Sequence, residues 1–116
     1  MYREFLTPND DDVYEAIDEW SDSDENGTRV LTLQDDSGKS VVFSYDALAR
    51  SVRVRWVDDQ GVEMLDLFRE GATRLSFASG QTVKQIFIDF HTGECAGTME
   101  ILVTPHFSVS DRLLFQ

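Results

Sequence analysis

Cysteine occurs once in the 116 residues, which excludes a disulfide within the chain. A reducing compartment suits such a chain. Proline occurs only twice, at positions 8 and 105, and no proline-rich or other low-complexity linker is present. Long apolar runs are also missing. No stretch approaches the about twenty residues that a bilayer span requires, and Met1-Tyr2-Arg3-Glu4-Phe5-Leu6 has no apolar run of signal-peptide type. A soluble, cytoplasmic protein with no membrane partner is the expectation.

Basic residues are scarce too. Ten Lys and Arg stand against 22 Asp and Glu, for a net charge of −12. Nucleic-acid binding draws its affinity from cations that displace counterions, so nucleic acid is not an expected partner. Docking on anionic lipid fails for the same reason. The imbalance is local, because residues 1–26 hold ten acids and one arginine.

What remains is enough for one domain spanning 1–116, with a core supplied by eight Phe, three Tyr and two Trp. Three sections are apparent: an acidic helical segment over 1–27, an antiparallel sheet over 28–104, and an apolar tail over 105–116. In the first, Thr7 serves as an N-cap, Pro8 suits the first helical position and Asp10 favours the positive end of the dipole. Val13, Ile17 and Trp20 recur at i, i+4, i+7 with Ala16 beside them, while Asp11, Asp12, Glu15, Asp18 and Glu19 fill the rest. An amphipathic helix over 8–21 follows.

Beyond Gly27 the period is two. Strands are expected at 28–34, 40–45, 51–57, 62–68, 73–78, 82–91 and 98–104, with connections mostly too short for parallel crossovers. The segment 46–50 could form one helical turn. The fold class is therefore α+β: the helix packed on a mostly antiparallel meander of about seven strands, either strongly curved or closed into a partial barrel.

Register follows from aligning apolar faces. A loop at 35–39 sets Leu33 against Val41 and Leu31 against Phe43. A loop at 58–61 sets Val54 against Leu65 and Val52 against Leu67. A loop at 92–97 sets Phe90 against Met99, Ile88 against Ile101 and Ile86 against Val103. Phe87 and Leu102 then pair on a second, partly buried face. The tail (Phe107, Val109, Leu113, Leu114, Phe115) is an edge strand, a short helix from Ser110, or part of an interface such as a homodimer.

Four groups of residues could carry chemistry. Asp22-Ser23-Asp24-Glu25-Asn26-Gly27 matches the first half of a D-x-D-x-N-G calcium loop, with Asp22, Asp24 and Asn26 as ligands. Its twelfth position, however, is Leu33 where a bidentate Glu is needed, so a polar helix-to-strand connection is the plainer account. In the last hairpin Asp89 falls opposite Glu100, with His91 on the same side and Glu94, Cys95 and His106 nearby. Opposed like charges call for a cation or a basic group, and His91 beside a carboxylate could act as a base. A solvated face in another register explains the same residues. Arg53 and Arg55 share one face; Arg53 facing Asp66 suggests an ion pair, and an anion pocket is the sharper alternative.

The acidic helix is the fourth group. Clustering so many acids costs stability through self-repulsion and exceeds what solubility needs. Long-range attraction of a basic protein would explain the cost. The expected function is an acidic protein-interaction module, a small inhibitor or immunity protein that neutralises a basic toxin or nuclease. Asp11, Asp12, Glu15, Asp18, Glu19, Asp22 and Asp24 would be its charge partners and Tyr14 an aromatic anchor. The alternative is a small-ligand or metal-binding domain, enzymatic or not, with its site near Asp89, His91 and Glu100. No G-x-S-x-G, phosphate loop or H-E-x-x-H supports catalysis, and no cofactor is expected.

Overall fold

Three copies of an Asp-x-x-Gly segment close hairpins in this chain by the same chemistry. In Asp24–Gly27, Asp35–Gly38 and Asp58–Gly61, the Asp Oδ1 accepts backbone N–H groups two and four residues ahead at 2.8–3.0 Å. The Gly N–H in turn donates to the Asp carbonyl at 3.0–3.1 Å, with φ between +81° and +85°. Such φ values suit glycine, and the side chain mimics a turn of backbone.

The computed structural model describes residues 4–115, with the side chains of Leu114 and Phe115 outside the described set. One helix, α1 (Asp10–Ile17), precedes nine strands: β1 (Asp22–Ser23), β2 (Arg29–Gln34), β3 (Ser40–Asp46), β4 (Ser51–Val57), β5 (Glu63–Glu70), β6 (Ala72–Ser79), β7 (Lys84–Thr92), β8 (Cys95–Thr104) and β9 (Ser108–Phe115). They form two antiparallel sheets in the orders β1-β2-β3-β4-β5 and β6-β7-β8-β9. The expected single meander of seven strands is thus replaced by two sheets.

The division falls at Gly71. Its φ is +85°, and a Cβ there would collide with Thr92 Cγ2. Around it, Ala72 N–H donates to Arg50 O and His91 N–H to Gly71 O. These bonds fasten the crossing strand to both sheets. Alternation then aims Leu31, Leu33, Val41, Phe43, Val52 and Val54 of the first sheet, and Leu75, Ile86, Ile88, Met99, Ile101 and Val103 of the second, into one shared core. Each such side chain contributes roughly 1.5–3 kcal/mol on burial. Val13 and Ile17 of α1 join them, and the N-terminal segment bridges β6 through Leu6 N–H to Thr73 O and Leu75 N–H to Leu6 O.

The helix is shorter than its periodicity suggests. Asn9, not Thr7, is the N-cap, accepting from Asp12 N–H at 2.8 Å, and Pro8 lies outside. α1 stops at Ile17 because Asp18 turns left-handed (φ 61°). Acids at 18 and 19 oppose the negative end of the dipole, and no basic residue sits in the last turn.

Register is as expected in β2–β3, where Leu33 faces Val41 and Leu31 faces Phe43. In β4–β5, the turn and a bulge at Trp56/Val57 shift the pairing by two, so Val54 faces Leu67 and Val52 faces Arg69. In β7–β8 the six-residue loop contracts to Gly93-Glu94, since Thr92 already pairs with Cys95. Ile88 therefore faces Met99, Ile86 faces Ile101 and Phe90 faces Gly97, where a side chain would collide with Arg112 O. Phe87 and Leu102 do not pair; they face Glu100 and Gln85. An even shift preserves which residues point inward, so the core set survives. The tail is an edge strand, paired with β8 from Leu102↔Ser108 to Cys95↔Phe115.

The Asp35 turn, with Trp56, meets the second sheet at one end. Asp35 is only 7% exposed, and besides its turn it accepts from Ser37 Oγ (2.6 Å) and Trp56 Nε1 (3.2 Å). Trp56 stacks on Phe107 at 4.8 Å, and Asp36 N–H donates to Pro105 O. Burial raises the Asp35 pKa, but the hydrogen bonds from Ser37, Lys39 and Trp56 outweigh it and hold the carboxyl below its ordinary 3.8. The folded state thus binds the proton less readily than the unfolded chain. The resulting stability is present above about pH 4 and is lost as pH falls through the lowered native value. Asp35→Ala is expected to cost about 2–3 kcal/mol in urea unfolding at pH 7. Asp35→Asn should cost less and flatten the loss of stability below about pH 4.

Candidate protein-interaction site

Among the described residues, one acid of the N-terminal segment forms a salt bridge. Asp10 meets the Arg29 guanidinium at 3.3 Å and accepts from Ser21 Oγ at 2.9 Å. Tyr45 lies beside this pair; burial first, then the charge of Asp10, pushes its hydroxyl above the ordinary 10.0, against the opposing pull of Arg29. Asp10 thereby docks the start of α1 on β2.

The others turn outward. Asp11, Asp12, Glu15, Asp18, Asp22 and Asp24 are exposed and Glu19 is half-buried. Among the described residues, no salt bridge engages any of them. Asp24 differs in having one carboxylate oxygen committed to its turn.

Two aromatic rings stand among these carboxylates. Tyr14 (39% exposed) stacks on Trp20 (55% exposed) with centroids 4.5 Å apart and planes 12° from parallel. Trp20 was expected on the buried stripe. The early end of α1 swings it off the helical path, so it covers Tyr14 instead of entering the core. Helical spacing concealed it, and no other signal in the sequence marks it as exposed.

The calcium-like segment is the β1–β2 hairpin. Asp22 and Ser23 pair with Val30 and Arg29, and Asp24 Oδ1 is filled by Asn26 and Thr28 N–H groups. In the last hairpin the shifted register separates the acids expected to oppose each other. Asp89 faces Thr98, Glu100 faces Phe87, and His91 faces Ala96. Among the described residues, no three His, Cys, Asp or Glu side chains are grouped so as to hold a metal ion. Arg53 pairs with Asp66 through Nε–Oδ1 at 2.8 Å, diagonally since its direct partner is Phe68; Arg55 pairs with Glu63. The Asp66 hydrogen bond raises the Arg53 pKa, and the same bond lowers that of Asp66.

No described helix is long and apolar enough to cross a membrane. No protein-family model matches the chain, and no curated protein matches it in sequence. In three dimensions it is similar to a chain of a contact-dependent growth inhibition toxin–immunity protein complex from Klebsiella pneumoniae 342. The TM-score is 0.78 at 16% identity, covering 98% of this chain and 100% of that one. The two share a fold.

Carboxylates without internal partners should be dispensable for folding. Asp11→Asn, Asp12→Asn and Glu15→Gln are each expected to leave thermal-unfolding stability within about 0.5 kcal/mol of wild type, or to raise it by relieving repulsion. A uniform loss of more than about 1 kcal/mol would show that these groups serve the fold.

Proposed function

We propose that this chain is an immunity-type inhibitor that binds a basic toxin domain and blocks it without catalysing a reaction. One observation carries the proposal: a stacked, exposed Tyr14–Trp20 pair set among carboxylates that no salt bridge engages among the described residues. Solvent-exposed aromatic surface ringed by charge is costly to a free monomer and typical of a binding centre, where aromatic anchors supply affinity and charges supply encounter rate. Asp11, Asp12, Glu15, Asp18, Glu19, Asp22 and Asp24 are the charge partners, and Tyr14 with Trp20 is the anchor. The fold shared with a chain of a toxin–immunity complex supports the same assignment.

The test is neutralisation of a basic toxin domain, sought first among the products of neighbouring genes, followed by association kinetics. Wild type should restore growth to cells expressing that toxin. The on-rate should fall at least about tenfold between low and physiological salt, as for electrostatically steered pairs. Asp11→Asn with Glu15→Gln and Asp18→Asn should slow association, while Tyr14→Ala should mainly speed dissociation. An on-rate that changes less than about twofold with salt would contradict the steering mechanism.

A further inference from the structure

The outward face of the five-stranded sheet carries a cavity that the acidic helix does not use. Its volume is about 420 Å³, and its lining includes Thr28, Ser44, Asp46, Ser51, Arg53, Asp66 and Phe68. The strand register explains the grouping. Ser44, Arg53 and Phe68 are direct cross-strand neighbours on β3, β4 and β5, and Asp46 and Ser51 occupy the adjoining row on the same face. Thr28 precedes β2 beside that second row.

Three features together define what such a cup would hold. The first is hydrogen-bonding capacity: the hydroxyls of Thr28, Ser44 and Ser51 line the cup and, among the described residues, are engaged by no side-chain hydrogen bond. Charge is the second. Arg53 is committed to Asp66 by two hydrogen bonds, so its cation is already cancelled, while among the described residues Asp46 takes part in no salt bridge and only its Oδ1 is engaged, by Ala49 N–H at 3.0 Å. The lining therefore carries one net negative charge and disfavours an anion. The third is Phe68, an aromatic ring 53% exposed at the rim, which offers a π face to a cation.

We propose that this cup receives the guanidinium or ammonium group of a basic side chain. Its planar or tetrahedral donors would bond the hydroxyls of Thr28, Ser44 and Ser51 and the free oxygen of Asp46, against the ring of Phe68. The assignment deepens the inhibitor proposal and rests on it in one respect, that the side chain belongs to the same basic partner. It adds a specific socket on the sheet to the general attraction of the acidic helix.

The probe is N-acetyl-arginine amide, titrated into the ¹⁵N-labelled chain, with N-acetyl-glutamine amide as the uncharged control. Saturable shifts are expected at Ser44, Ser51, Arg53 and Phe68 with the arginine compound and not with the glutamine one. Phe68→Leu keeps apolar area but removes the ring, and should weaken binding about two- to fivefold. Ser51→Ala should weaken it as well. Shifts confined to residues 10–24, equal shifts with both probes, or unchanged affinity in Phe68→Leu would each overturn the cup. Toxin neutralisation is scored separately. A chain that neutralises its toxin yet shows no arginine response at the cup defeats this inference alone. A chain that binds arginine there yet neutralises no basic toxin defeats the inhibitor proposal alone.

Discussion

The hydrogen bond from backbone N–H to an aspartate oxygen is the interaction on which the rest of this architecture depends. It recurs at Asp24, Asp35 and Asp58, each at the mouth of a hairpin whose glycine takes up positive φ. A turn closed in this manner fixes where the returning strand begins. Starting point determines parity, and parity determines which side chains face the core. At Asp35 the same carboxylate also takes the Trp56 indole, so turn chemistry passes directly into the joining of the sheets.

This chemistry sorts the acids of a chain with net charge −12 into two populations. Some are spent internally: on turns at Asp24, Asp35 and Asp58, on a docked helix at Asp10, and on cross-strand or cross-sheet pairs at Glu63, Asp66 and Asp111. Arginines 29, 53, 55 and 69 are used in those pairs, and among the described residues no salt bridge reaches the acids from Asp11 to Asp24. The free acids are therefore concentrated on a surface that also shows two stacked rings. Repulsion among them would be eased by salt or by an external cation.

Much of the fold was legible in the pattern of residues. Two-residue alternation located the strands, and the buried set of the last hairpin came out correctly even though its partners were displaced by two. Even displacements leave apolar parity intact, so alignment of faces cannot detect them. Asp89 against Glu100 failed for that reason: Gly93-Glu94 makes a tighter turn than the loop length implied. The break into two sheets was illegible because it depends on contact between Gly71 and Thr92, residues far apart in the chain. Trp20 was misplaced because helical spacing assumes the helix continues, and Asp18 ends it. The acidic face was legible from charge counting, whereas the cup around Ser51 exists only once four strands are set side by side.

Zero-length carbodiimide cross-linking of the chain to a basic toxin domain that binds it would address the central claim most directly, because it joins carboxylates to lysine amines only when they touch. The account predicts that cross-links from this chain arise from Asp11, Asp12, Glu15, Asp18, Glu19 and Asp22, and diminish when salt is raised before coupling. Cross-links arising instead from the β5 and β9 edges, with residues 11–22 unmodified, would contradict it.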